Sequence, residues 1–492
     1  MKLFKLRGGV HPEGRKAASA ETAIRTLPLP AHLYVQLQQH VGTPAKPVVQ
    51  VGDKVLAGQL IGAGQGNISA PVHAPTSGRV VAIGDHPAPH PSGLPAATVI
   101  IEPDGEARWI EADIPADPFA LAPEDIAARV GAAGIVGLGG ATFPSAVKLN
   151  LSRRSGVDTL IINGGECEPY LTCDDRIMRE RAAEIVTGIR LIQLAVGARH
   201  ALVGIEDNKP EALAAMRAAA AGTPVQIRAV PAMYPMGWDK QMIQALLGRE
   251  VPAEGRSADI GVLVHNVATA WAVQQAVGLG RPLVSRVVTV SGGAVARPAN
   301  LEVPIGTPVQ ALFDACGGFR ATPARLVLGG PMMGHQLTHT SVPVVKGSSG
   351  VLALTQAEIG LTQPAPCIRC SSCVRACPVG LLPLEMAARI RADDLDAAVG
   401  LGLKDCIGCG SCSYVCPSSI PLVHYFNYAK GELMAQARSK LKQEATRKLA
   451  EERNARMERI AREREEAAAA RKAAKAARDA AAKATQQSGV TA

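Results

Sequence analysis

Aromatic side chains are scarce in this chain: 3% of its 492 residues are Phe, Trp or Tyr, although 47% are hydrophobic. Its cores must be assembled from Ala, Val, Leu, Ile and Gly, and no aromatic-interleaved basic stripe offers itself to nucleic-acid bases. The formal charge of +9 comes without zinc-finger spacing or a recognition-helix pattern, and much of the excess lies near the two ends, so nucleic acid is not expected as a partner. A mildly basic surface suits an acidic carrier protein or an anionic membrane face equally well. Long apolar runs are missing too. No uninterrupted apolar stretch reaches about eighteen residues, and the N-terminal MKLFKLRGGVHPEGRK has no signal-peptide core, so neither a transmembrane helix nor a leader is expected. Eleven cysteines in a chain long enough for three or more folded units are not a disulfide framework.

Eight of those cysteines fall in two runs, Cys367 to Cys377 and Cys406 to Cys416, each spelling C-x2-C-x2-C-x3-C-P. The C-x2-C-x2-C part wraps a short loop so that three thiolates face one iron–sulfur cube, while loop N–H groups point at its sulfides. Structural zinc uses paired C-x2-C knuckles, not four cysteines in one run twice over. Two 4Fe-4S clusters are therefore expected, which implies reduced thiols and a cytosolic setting. The motifs resemble those of two-cluster ferredoxins, in which the fourth cysteine ligates the other cluster. That resemblance implies one ligand set of Cys367, Cys370, Cys373 and Cys416, and another of Cys406, Cys409, Cys412 and Cys377. The intervening LLPLEMAARIRADDLDAAVGLG reads as helical.

Upstream, VGDKVLAGQLIG and ISAPVHAPTSGRVVAI alternate and turn like a small β sandwich. They resemble the biotinyl/lipoyl hammerhead, but the position of the modified lysine falls near Asn67, so no attachment is expected. Residues 121 to about 270 alternate strands (Thr159 to Asn163, His200 to Glu206, Ile260 to Asn266) with helices (Arg181 to Ala195, Glu211 to Ala221), as α/β units do. Residues 285 to 320 read as two short strands, a polar turn and a helix, resembling the soluble-ligand-binding β-grasp module. LVLGGPMMGH follows as a strand entering a Gly-Pro turn. The Ala-, Lys-, Arg- and Glu-rich stretch from 431 to 485 contains no proline and predicts one long helix without a sustained apolar seam.

VGLGGATFPSAVKL (Val136 to Leu149) is a glycine turn running into a helix whose N-terminus suits an anion, with Lys148 within reach of the same phosphate. INGGECEPYLTCDDRIM (Ile161 to Met178) follows a strand, and YPMGWDKQMIQALLG (Tyr234 to Gly248) is another glycine turn opening a helix. These three segments resemble the flavin- and NADH-binding subunit of respiratory complex I. With the β sandwich ahead and the β-grasp module and ferredoxin motifs behind, the order resembles the RnfC subunits of the Rnf/Rsx ion-translocating oxidoreductases over residues 1 to about 430.

The resemblance implies that Gly137, Gly139, Gly140 and Lys148 hold the phosphate side of a non-covalent FMN. Phe143 would lie near the ring or nicotinamide, Asn163 and Glu166 would contact the flavin, and Glu168 would sit by the nucleotide. The chain departs from the complex I pattern at Gly165-Glu166, where that family has Asp-Glu, and at Trp238-Asp239 in the third loop. Cys167, Cys173 and Cys316 read as free thiols without a redox role. The implied architecture is multidomain α/β: an arm (1–30), a hammerhead-type β sandwich (31–118), a Rossmann-like FMN/NAD domain (119–280), a β-grasp module (281–350), a two-cluster ferredoxin-like helical domain (360–430) and a helical tail (431–492). The implied function is that of a peripheral protein on the cytoplasmic face of the bacterial inner membrane. It would pass electrons between NAD(H), FMN and two 4Fe-4S clusters, with the other members of its complex, including a ferredoxin-like one, as partners. The alternatives are a cluster-bearing scaffold without flavin and a soluble NADH dehydrogenase (diaphorase) module.

Overall fold

A computed structural model describes residues 3–360 and 363–488. It separates into one unit ending at His424 and another beginning at Tyr425. Among the described residues no helix is long and apolar enough to cross a membrane.

The β-rich N-terminal part pairs the strands Leu33–Gln36, Pro95–Pro103, Gly78–Pro87 and Lys54–Val55, in that spatial order. A second, three-stranded sheet holds Lys46–Pro47, Leu60–Ala63 and Val72–His73. Leu33, Val35, Ile61, Val72, Val80, Val99 and Ile101 from both sheets share one core, as alternating inward residues of a sandwich do. Asn67 is exposed in the connection between Leu60–Ala63 and Val72–His73, which contains no lysine.

The next domain is a four-stranded parallel sheet ordered Val225–Val230, His200–Glu206, Thr159–Gly164, Val262–Asn266. Its central strands are almost wholly apolar, because helices cover both faces. The Val225–Val230 strand has three half-exposed residues, and its sequence, VQIRAV, alternates as a half-buried edge strand does, although it is not among the strands expected from sequence. The chain moves outward from Thr159–Gly164 through two strands and then returns to its other side with Val262–Asn266. That reversal opens a crevice at the strands' carboxyl ends, where ligands bind in such sheets. Asn163 and Asn266 lie in register there.

The module after residue 284 is larger than the two strands and helix read from sequence. Its six-stranded mixed sheet contains Ser285–Ser291, Ala299–Pro304, Gly350–Leu354, Arg325–Leu328 and His335–Gln336. Its other edge is Arg25–Thr26, so the N-terminal arm completes it as a parallel strand. This pairing is long-range and left no local signature.

The cysteine-rich region forms short helices, Ser372–Ala376, Pro383–Arg391, Leu395–Gly400 and Ser411–Tyr414. The final helix runs Leu422–Ser488 and starts ahead of the boundary expected at 431. Its exposed Met434, Leu441, Leu449 and Met457 are isolated among polar residues, so strong helix formers sustain it instead of an apolar face. Residues 489–492 of the expected tail lie outside the described ones.

Candidate functional site

The loop after helix Pro123–Ala132 closes on itself before the next helix begins. Val136 bridges Pro144, the Gly137 amide donates to the Phe143 carbonyl at 2.9 Å, and the Thr142 amide donates to the Gly137 carbonyl at 3.2 Å. Gly140 has φ +107° and faces open space, a conformation that side chains resist. A Cβ on Gly139 would come within 3.2 Å of Asn266 Cβ, so the loop lies against the crevice where the sheet reverses. Helix Ser145–Arg154 starts immediately afterwards. Ser145 is fully buried and, among the described residues, its hydroxyl has no partner; Nε2 of the buried His265 has none there either. Orphaned buried polar atoms beside a closely approached glycine backbone fit a bound polar ligand. Phe143 is half-buried.

Lys148, expected to reach a phosphate, donates to the Val264 carbonyl at the crevice, and burial lowers its pKa. His265 is held well below the usual imidazole value by burial and then by the Lys148 charge. Asn163 links two loops: its Nδ2 donates to the Gly237 carbonyl at 2.8 Å and its Oδ1 accepts from the Gly165 amide at 2.9 Å. Glu166 is buried, and its carboxylate accepts the Asp174 amide (2.9 Å), the Asp175 amide (3.3 Å) and the Cys173 thiol (3.3 Å). It therefore serves the N-terminus of helix Cys173–Glu180, where an anion is favoured. Glu168 turns the other way and accepts from the Met332 and Met333 amides at 3.0 and 2.8 Å. Burial pushes its carboxyl up to about 7, against the pull of those two bonds.

Sequence reasoning missed Asn266, and it noted Asp174 only as one of the acids of its segment, without a role. Asn266 caps helix Val267–Leu279 through the Ala268 amide and donates to Asp174 Oδ2 at 2.6 Å. Burial, and then the Glu166 charge, hold the Asp174 carboxyl above the usual carboxylate range. An Asn directly before an apolar helix is a cap signal, but its place in the crevice follows from strand order alone.

The third loop, Tyr234 to Gly237, joins this site to the cysteines. Its Gly237 amide donates to Cys167 Sγ at 3.2 Å, and the Tyr234 hydroxyl donates to the Cys409 carbonyl at 2.6 Å. Val10 of the N-terminal arm pairs with Tyr234, while the Gly9 amide donates to the Ala376 carbonyl at 3.0 Å. Val10, Tyr234, Ala376 and Cys409 form a small core flanked by Cys167 and Met332. Gln241 adds a 3.2 Å bond to the Pro378 carbonyl.

The two cysteine loops share a backbone trace. Arg369 and Ser371 have φ +54° and +60°, and their counterparts Gly408 and Gly410 have φ +66° and +76°. Only the first loop is strained by side chains there. Cys367, Cys370, Cys373 and Cys416 line one cavity. Cys377 lies near Cys409 and Cys412, whose thiols are pushed up first by burial and, among smaller causes, by the charge of Cys377. Amides already point at sulfur, Arg369 N to Cys367 Sγ and Leu381 N to Cys377 Sγ, each at 3.3 Å. Cys367 and Cys370 are exposed, whereas Cys377, Cys409 and Cys412 are buried.

Four family models match in chain order: the RnfC barrel sandwich hybrid domain over residues 4–106, the Nuo51 FMN-binding domain over 130–275, the SLBB domain over 287–336 and the 4Fe-4S dicluster domain over 366–420. The crystal structure of an NAD+-reducing NiFe hydrogenase in the H2-reduced state aligns at a TM-score of 0.46 and 21% identity, covering 65% of this chain and 62% of that one. That likeness is too loose to bear on function. The RnfC protein of the ion-translocating oxidoreductase complex of Rhodobacter capsulatus is 52% identical over 442 residues, covering 89% of this chain and 85% of that protein. Its namesake from Pseudomonas aeruginosa is 46% identical over 435 residues, covering 88% of this chain and 56% of that protein. The chain belongs to the RnfC family of ion-translocating oxidoreductase complexes.

Proposed function

We propose that this chain passes electrons between NAD(H) and partner subunits by way of one FMN and two 4Fe-4S clusters. Its family makes it an electron-transfer component of an ion-translocating oxidoreductase complex. The observation that carries the proposal is the run of contacts from Asn163, the register partner of the Asn266 that the glycine loop lies against, through Gly237 and its loop neighbour Tyr234 to the Cys409 carbonyl.

Gly137, Gly139 and Gly140 let backbone approach the FMN phosphate, with the N-terminus of Ser145–Arg154 and Lys148 supplying positive potential. Phe143 borders the ring side, and Asn163 and Asn266 offer amides at the paired strand ends. Bound FMN supplies the chemistry, accepting a hydride and releasing electrons singly. The carboxylates of Glu166 and Glu168 hold the loops around it, Glu166 at a helix start and Glu168 at the Met332–Met333 turn. Acidic groups near the crevice are the feature through which a nicotinamide nucleotide's ribose hydroxyls would be recognised.

Cys406, Cys409, Cys412 and Cys377 hold the cluster nearer the flavin, and Cys367, Cys370, Cys373 and Cys416 the outer one. The outer loop exposes Ile368 (69%) and is where a partner's redox centre would approach. The chain is peripheral, on the cytoplasmic face of the inner membrane.

The test is anaerobic purification with iron, sulfide and FMN assays, and spectra before and after adding NADH. About eight irons and one FMN, bleached by NADH, are expected. Full iron without flavin, and no bleaching after FMN is supplied, would reduce the chain to a cluster scaffold.

A further inference from the structure

The glycine loop is held from outside its own domain. Within the α/β domain the middle of the loop is gripped by Thr269, whose Oγ1 accepts the Leu138 amide at 2.9 Å. The Leu138 carbonyl is taken by Arg286, on the first strand of the six-stranded module, through Nη2 at 3.3 Å. The same guanidinium donates from Nε to the Ser348 carbonyl at 3.2 Å. Arg286 is 2% exposed, and a charge buried there is costly unless it is paired and hydrogen-bonded. Its other charged or ionisable neighbours are Cys173 and Asp174, both at the crevice.

The turn that carries Ser348 is pinned by hydrogen bonds. Ser348 Oγ accepts the Val345 amide at 3.0 Å, and the Lys346 amide donates to Gln39 Oε1 at 2.9 Å. The Lys346 ammonium, on a residue 1% exposed, donates to the Pro71 and Gly134 carbonyls at 2.8 and 2.7 Å. This turn presents Gly347 to the loop so closely that a Cβ would lie 2.6 Å from Thr142 Cγ2. From the β sandwich, the Val41 amide reaches the Thr142 carbonyl at 3.3 Å.

We propose that the six-stranded module clamps the flavin loop, with Arg286 as the positioning residue that fixes Leu138 and Gly347 as the stop against Thr142. This rests on the FMN reading above and gives the module a role beyond an interaction surface. Movement of the module on complex assembly would then reach the flavin site directly.

The test uses the full chain, purified anaerobically, with two variants. R286M removes the guanidinium at similar volume, and G347A pushes on Thr142 without touching Arg286. R286M should weaken FMN binding by about tenfold or more, the loss of one charge-assisted hydrogen bond, and G347A should weaken it in the same direction by displacing Thr142, both with cluster iron unchanged. R286K should recover part of that loss. Hydrogen exchange of the amides of 138–142 should quicken in both variants, a readout that needs no flavin. Parent-like FMN affinity and parent-like exchange in a folded R286M or G347A would overturn the clamp. If R286M fails to fold, G347A decides alone. If the parent takes up no FMN, the flavin reading fails, and loop exchange still decides the clamp.

Discussion

Replacing Cys377 by Ser should remove the cluster of the other motif and spare its own. The cavity lined by Cys367, Cys370, Cys373 and Cys416 has a full set of four thiols without Cys377, which instead neighbours Cys409 and Cys412. A serine oxygen is a poor substitute for a thiolate, so one cluster is lost and iron falls from about eight to about four per chain. C377S and C406S should therefore leave the same residual electron paramagnetic resonance signal after reduction, that of the exposed set. C367S and C416S should both leave the buried one. The two residual clusters should also differ in oxidation by a bulky aqueous oxidant, because only the first set contains exposed cysteines. If C377S leaves the signal that C367S leaves, each motif binds its own cluster and the crossed assignment is wrong.

Gly140→Ala forces a Cβ onto φ +107°. A cost of about 1–2 kcal/mol should appear as roughly tenfold weaker FMN binding by flavin fluorescence, with iron content unaffected. Tyr234→Phe strands the Cys409 carbonyl in a buried contact and should cost about 1–3 kcal/mol, read as earlier thermal bleaching of cluster absorbance; an unchanged transition would show that water replaces the phenol. Arg369→Gly together with Ser371→Gly gives the first cysteine loop the glycines that Gly408 and Gly410 provide in the second, and should slow iron loss to a chelator. Glu168 titrates near 7 when folded, against 4.5 for the free side chain. The folded chain thus keeps a proton that the unfolded chain has lost, and this contribution to stability falls as pH rises from 4.5 through 7. Denaturation midpoints should show that slope, and E168Q should flatten it.

Local chemistry makes much of this protein legible in its sequence. The cysteine spacing, the glycine turn ahead of Ser145, and the apolar runs at Thr159, His200 and Val262 each follow from interactions within a few residues. Long-range pairing leaves no such trace. Arg25–Thr26 reads as part of an arm, yet it is a sheet edge. The acids show the same division. Glu166 and Glu168 read in sequence as acids facing a ligand, but consecutive turns aim one at a helix start and the other at Met332 and Met333. Tyr234, Asn266 and Arg286 matter through partners 175, 92 and 148 residues away. The sequence by itself determined which groups were present and which short elements they start. Only tertiary structure decided which loop meets which, because buried polar groups take whatever partner the packed strands bring to them.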